Sequence, residues 1–163
     1  MARPIPSRDE IADRISAYVY GNILVLASLV VLHHDEIERG FGFALVLGTA
    51  VSTFIAHAFS EGLGASVRQN EHASMQHILR DSLPIVSAAS VPAALMAVGA
   101  FGWIEPVVCL RLAEAWVIVR LAITSFIVGR LQGHPVTGRT WFASLALAAV
   151  AVAIVAIKVV LTH

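Results

Sequence analysis

Charged residues are scarce in this chain. Asp, Glu, Lys and Arg make up 13% of its 163 residues, about half the share that is usual in a soluble domain. In their place, 58% of the residues are hydrophobic and the mean hydropathy is +0.80. Several apolar runs reach the length of roughly 20 residues that a helix needs to cross a bilayer. The composition predicts an all-α integral membrane protein that lies in the lipid bilayer of a bacterial-type plasma membrane.

Other features that the sequence lacks exclude several classes of function. The single Cys109 excludes an internal disulfide and any cluster of cysteine metal ligands. The net charge is zero, so no basic surface for nucleic acid is predicted. The sequence has no glycine-rich phosphate loop, no nucleophile elbow and no HExxH motif. We therefore expect neither enzyme activity nor a resident cofactor. The polar N-terminal segment also does not resemble a signal peptide.

The apolar segments predict five spanning helices in a single membrane domain, 1–163. The spans cover residues 15–32, 41–67, 83–103, 106–130 and 140–161. Pro84 suits the first turn of the third span, and Pro92 predicts a kink within it. The preceding stretch, 70–82, has apolar residues at helical spacing. It is interpreted either as a surface helix or as a continuation of the second span.

The orientation follows from the basic residues, which favour the cytoplasmic side of a membrane protein. With the N-terminus inside, the outer side carries only Arg39 and Lys158. The N-terminus is therefore predicted to be cytoplasmic and the C-terminus to lie outside. The inner side carries seven arginines: Arg3, Arg8, Arg14, Arg68, Arg80, Arg130 and Arg139.

Ionisable residues occur within the second predicted span, where they are costly and therefore point to function. Thr53, His57 and Glu61 are spaced by four residues, which places them on one face of a helix. A carboxylate and an imidazole together suit divalent metals such as iron, manganese or zinc. His57 and Glu61 are therefore candidate metal ligands, with the metal ion as a transported substrate.

The fourth predicted span carries further charges. Arg111 and Glu114 are three residues apart and can pair within one helix. Arg120 has no such partner. Counted from the span midpoints at 1.5 Å per residue, Glu61 lies about 10 Å and Arg120 about 5 Å toward the inner side. An ion pair between Glu61 and Arg120 that fixes helix packing is thus the alternative to a metal site.

Local sequence resembles the vacuolar iron transporter family. Residues 20–28, YGNILVLAS, are similar to the opening of that family's first helix, and residues 60–68, SEGLGASVR, to the end of its second. The segments 129–133 and 138–140 are similar to its glycine-rich inner turn. The resemblance implies five helices and a homodimer with a central path for ferrous or similar ions, which are exchanged against protons.

The chain also departs from this pattern. Tyr20 falls where the family has an aspartate, and Glu61 falls where it has a methionine. The cytoplasmic metal-binding helices are missing, since only residues 68–81 separate the second and third spans. Two functions are therefore carried forward. One is a proton-coupled transporter of divalent metal ions. The other is a non-transporting accessory or scaffold subunit of a larger membrane complex.

Overall fold

The described part of the chain is entirely helical. The computed structural model describes residues 8–67 and 75–131, together with residues 149 and 153. Four long helices and one short helix follow one another, and no strand occurs in this part. They are α1 (Arg8–Val30), α2 (His34–Glu38), α3 (Phe41–Val67), α4 (Met75–Ala100) and α5 (Pro106–Leu131). The predicted span 140–161 lies outside the described residues, except for two isolated positions.

Helix α4 begins earlier than the sequence predicts. It runs without interruption from Met75 to Ala100 and contains both Pro84 and Pro92. The expectation that Pro84 lies in the first turn is therefore wrong, and so are both interpretations of residues 75–82. These residues form the first turns of α4, where Ile78 and Ser82 are buried and so anchor the segment to the bundle. A proline inside a helix leaves the carbonyl four residues earlier without its usual donor.

Helices α1 and α4 form the centre of the bundle. Each contacts the other and also contacts α3 and α5, whereas α3 and α5 do not contact one another within the described residues. The short helix α2 packs on α3, α4 and α5 through Ile37, which is fully buried. The apolar core lies between these helices and includes Leu26, Leu29 and Met96.

Gly21 sets the distance between the two central helices. A Cβ atom at this position would lie 2.8 Å from the Cα atom of Ile85 and 3.3 Å from its carbonyl oxygen. Contacts below 3.0 Å with a backbone atom require one helix to move. The absence of a side chain at Gly21 therefore permits the backbones of α1 and α4 to touch.

Two of the helices, α3 and α4, are long and apolar enough to cross a membrane. The share of the apolar window that is buried within the protein is 28% in α3 and 39% in α4. Large apolar side chains such as Ile55, Phe59 and Trp116 remain exposed. The prediction of five spans and their orientation stays a prediction beyond these two helices.

Candidate functional site

The predicted polar face of α3 lies toward α4. Thr53 is buried and His57 is half-buried, and His57 Nδ1 lies 3.2 Å from Ser82 Oγ on α4. Ser82 donates its one hydroxyl hydrogen to the carbonyl of Ile78, at 2.9 Å. Ser82 Oγ is therefore the acceptor and His57 Nδ1 is the donor. If the imidazole is neutral, this arrangement leaves Nε2 as the atom with a lone pair.

The same face does not assemble a complete metal site within the described residues. His57 and Glu61 would supply two ligands, with Glu61 half-buried one turn further along α3. Across residues 8–67 and 75–131, no three His, Cys, Asp or Glu side chains come together in a way that could hold a metal ion. The sequence interpretation of Glu61 and His57 as metal ligands thus gains no third ligand from this part of the chain.

An ionic contact ties α1 to α4 near the inner end predicted from the sequence. Arg14 Nε lies 2.7 Å from Asp81 Oδ1, and the Asp81 side chain is only 16% exposed. His77 Nε2 lies 3.3 Å from the other oxygen of Asp81. The carboxylate of Asp81 therefore neutralises Arg14 and can also accept a hydrogen bond from His77.

Arg120 is positioned differently from the sequence prediction. Its Nε atom donates to the hydroxyl of Tyr18 at 2.6 Å, and its Cζ atom lies 4.8 Å from the centre of the Tyr18 ring. The predicted ion pair with Glu61 is wrong because α3, which carries Glu61, does not contact α5. Helices α1 and α4 lie between them. Arg120 therefore holds α5 to α1 through a neutral partner.

The backbone of α4 supplies further acceptors to Arg120. Its Nη1 atom lies 3.1 Å from the carbonyl oxygen of Ser87 and 3.5 Å from that of Ala88. Ala88 precedes Pro92 by four residues, so its carbonyl has no intrahelical N–H donor. The guanidinium thus lies beside an acceptor that the proline has released from the helix.

A groove opens beside this contact. It has a volume of about 440 Å³ and lies between α1, α4 and α5. Its walls are mostly apolar, and they also include the charged side chains of Arg14 and Arg120 and the hydroxyl-bearing Tyr18 and Thr124. Among the described residues, it is lined by Ile11, Arg14, Ile15, Tyr18, Pro84, Arg120, Ile123 and Thr124.

The contact predicted between Arg111 and Glu114 is present. Arg111 Nη1 lies 3.0 Å from Glu114 Oε2. The Arg111 side chain is 62% exposed, whereas that of Glu114 is 5% exposed. Near the start of α5, therefore, an exposed cation compensates a buried carboxylate within the same helix.

The sequence analysis missed the role of Tyr18 and the acceptors beside Arg120. Pro92 gave a usable signal, since its position identifies Ala88 as a carbonyl in need of a donor. No local pattern indicated that α5 would supply that donor.

Comparisons with known proteins add no assignment: no family model matches the chain, and neither the curated proteins nor the solved structures contain a significant match.

Proposed function

We propose that this chain is a multi-pass membrane transporter of a small charged solute, with Arg120 at the centre of its binding site. The membrane part of the proposal is supported by the two long apolar helices, α3 and α4, whose apolar windows are mostly not buried within the protein. A buried core helix of a soluble protein would be covered by its neighbours. Exposed apolar surface of this extent is typical of a membrane or protein interface.

The observation that carries the transport proposal is the placement of Arg120. Its contacts join the middle parts of three helices: Tyr18 in α1, Ser87 in α4 and Arg120 itself in α5. In a spanning bundle this is the depth at which a charge is most costly and at which transporters bind their substrates. Helix α4 also contains an internal proline, Pro92, which leaves the carbonyl of Ala88 beside Arg120 without an intrahelical donor.

Divalent metal transport remains a narrower proposal for the same protein. It rests on His57 and Glu61 and on the resemblance of residues 20–28 and 60–68 to vacuolar iron transporters, which also implies a homodimer. Arg120 supports it less, because a permanent cation in the middle of the bundle repels metal ions. Elemental analysis of the purified protein measures iron, manganese and zinc directly.

The test begins with the topology. In a Cys109→Ala background, single cysteines at Glu36 and Trp103 are expected to react with an impermeant maleimide from the same side of the membrane. Glu36 lies between α1 and α3 and Trp103 between α4 and α5, so both fall at the same end of alternating helices. A cysteine at Met75 is expected to react from the opposite side. Equal labelling of all three positions from one side would contradict the multi-pass arrangement.

The second arm measures transport in proteoliposomes that contain a pH-sensitive dye. Metal ions, chloride and monocarboxylates are added one at a time, and ion-driven proton movement is recorded. We expect one class of ion to produce movement that is lost in Arg120→Gln and retained in Arg39→Gln, which changes an exposed arginine that follows α2. Transport by Arg120→Gln at the wild-type rate, or no movement with any ion, would overturn the proposal.

The alternative function, an accessory or scaffold subunit, is favoured by one feature. The exposed face of α3 is apolar and includes Ile55, Phe59 and Leu63, which are 55–68% accessible. Lipid would cover such a face in a lone transporter. Purification in mild detergent distinguishes the two, since a stoichiometric foreign protein held by this face and lost on Phe59→Ser would favour the subunit role.

A further inference from the structure

Arg120 retains donors that its contacts within the described residues do not use. A guanidinium carries five N–H groups in a planar fork. The described contacts of Arg120 involve Nε and Nη1, and their acceptors are a phenol and two carbonyls, all of them neutral. Within the described residues, the salt bridges formed by carboxylates involve other cations, such as Arg14 and Arg111. Among the residues that the structure describes, the positive charge of Arg120 is therefore stabilised by dipoles and a ring and is not neutralised by a carboxylate.

The groove next to Arg120 has the complementary character. It offers about 440 Å³ between three helices, and its walls include Ile11, Ile15 and Ile123. Arg14 also borders it, but this cation already pairs with Asp81. The site therefore combines one available positive charge with a predominantly apolar cavity. A small hydrated ion leaves such walls uncovered, whereas a molecule with an anionic end and a hydrocarbon body satisfies both parts.

We propose that this groove binds an amphiphilic monocarboxylate. The carboxylate accepts hydrogen bonds from the Nη atoms of Arg120, and the hydrocarbon body packs against Ile11, Ile15 and Ile123. The Tyr18 hydroxyl accepts from Arg120 Nε, so its own hydrogen is available to donate to the same carboxylate. The proposal rests on the proposed function for the choice of site, and it adds the chemical class of the substrate.

Two arguments favour a carboxylate over other anionic groups. The planar fork of arginine matches a carboxylate with two parallel hydrogen bonds. Arg120 also contacts Tyr18 and Ser87 near the middle of α1 and α4, at a depth that a phosphodiester headgroup, always charged, does not reach without distorting the bilayer. A carboxylic acid has an ordinary pKa of about 4, so a neutral form is available to enter hydrocarbon. It binds to Arg120 as the anion after it has released its proton to water.

The test is a binding titration on the full chain in phosphatidylcholine nanodiscs. Decanoate is the probe, and decanol, decyltrimethylammonium and acetate share either its chain or its charge but not both. We expect decanoate to bind at least ten times more tightly than each of these. Arg120→Gln is expected to weaken decanoate binding at least tenfold, whereas Arg39→Gln, at an exposed position after α2, leaves it unchanged. Arg120→Lys, which keeps the charge but not the fork, is expected to give an intermediate affinity.

Several results would overturn this assignment. Equal binding of decyltrimethylammonium, or unchanged decanoate affinity in Arg120→Gln, would contradict it. If decanoate does not bind and phosphatidylglycerol binds specifically, the groove would be assigned to a phospholipid instead. The ligand series on the wild-type protein decides the matter even if Arg120→Gln does not fold. Decanoate binding without transport in proteoliposomes would refute the transporter proposal but support the monocarboxylate site. Transport of another ion without decanoate binding would refute the monocarboxylate site but support the transporter proposal.

Discussion

Helix α1 is held by two arginine contacts that are one helical turn apart and opposite in kind. Near the N-terminal end of α1, Arg14 pairs with the carboxylate of Asp81 on α4 at 2.7 Å. One turn further, Tyr18 accepts a hydrogen bond from Arg120 on α5 at 2.6 Å. The first contact joins two charges that neutralise one another. The second joins a charge to a neutral hydroxyl, and the remaining acceptors are carbonyls of α4.

The difference shows how a helical bundle can keep a cation without cancelling it. A carboxylate partner would neutralise Arg120, and the pair would then have no net positive charge to attract an anionic ligand. Tyr18 and the carbonyl released by Pro92 satisfy only part of its hydrogen-bonding capacity. The contact between Arg14 and Asp81 is therefore suited to fixing helix positions, whereas the contact between Arg120 and Tyr18 leaves the positive charge that the proposed anion site requires.

The largest expected effect comes from removing the hydroxyl that holds Arg120. Tyr18→Phe keeps the ring but deletes the acceptor of a charged donor, which is worth about 2 kcal/mol. The free energy of unfolding in mixed detergent micelles is expected to fall by that amount. Tyr20→Phe, at a half-exposed position of the same helix, is the matched control and is expected to change little. Equal effects of the two substitutions would show that the Tyr18 contact carries no stability.

A smaller effect is expected from restoring the backbone donor of α4. Pro92→Ala provides an N–H for the carbonyl of Ala88, which then no longer depends on Arg120. In a double-mutant cycle, the stability cost of Arg120→Gln should be about 1 kcal/mol smaller in the Pro92→Ala background. The control is Pro84→Ala, whose released carbonyl belongs to Arg80. Additivity in the Pro92 cycle would refute the link between proline and arginine.

The smallest effect is expected at the contact between Arg14 and Asp81. Asp81→Asn removes the partner of Arg14, which is 31% exposed and can turn toward water, so the loss is about 0.5–1 kcal/mol. Because this contact joins two charges, the loss should shrink as ionic strength rises. The effect of Tyr18→Phe should not depend on salt. The exposed Asp13, on α1, provides the control substitution Asp13→Asn. A salt-independent loss at Asp81 would contradict the distinction between the two contacts.

Much of the helical layout could be predicted from the sequence. The bounds 41–67 were predicted for α3, and those of α5 were predicted to within one residue, because long apolar runs between glycine, proline and charge clusters mark helix ends clearly. The start of α4 was not predicted. Residues 75–82 are polar enough to look like a surface segment, and only the burial of Ile78 and Ser82 against neighbouring helices shows that they belong to α4.

The site was harder to predict for a physical reason. The face of His57 was expected to be polar from its spacing, and its contact with Ser82 follows from neighbouring antiparallel helices. The partner of Arg120, however, depends on which helices are adjacent. Depth along the membrane normal allowed Glu61 and Arg120 to meet, but depth does not specify lateral order. Helices α1 and α4 separate α3 from α5, and no periodicity within a single helix encodes that separation.

The close approach at Gly21 has a mechanical consequence. Where two helices touch through backbone atoms, as α1 and α4 do at Ile85, there is no layer of flexible side chains to absorb sliding. Helices α1 and α4 are therefore expected to move together as one rigid unit. A movement of α5 relative to this pair would have to break the hydrogen bonds from Arg120 to Tyr18 and to the carbonyl of Ser87. The side chain of Arg120 thus makes the polar contacts that resist a displacement of α5, whereas backbone contact resists a displacement of α1 against α4.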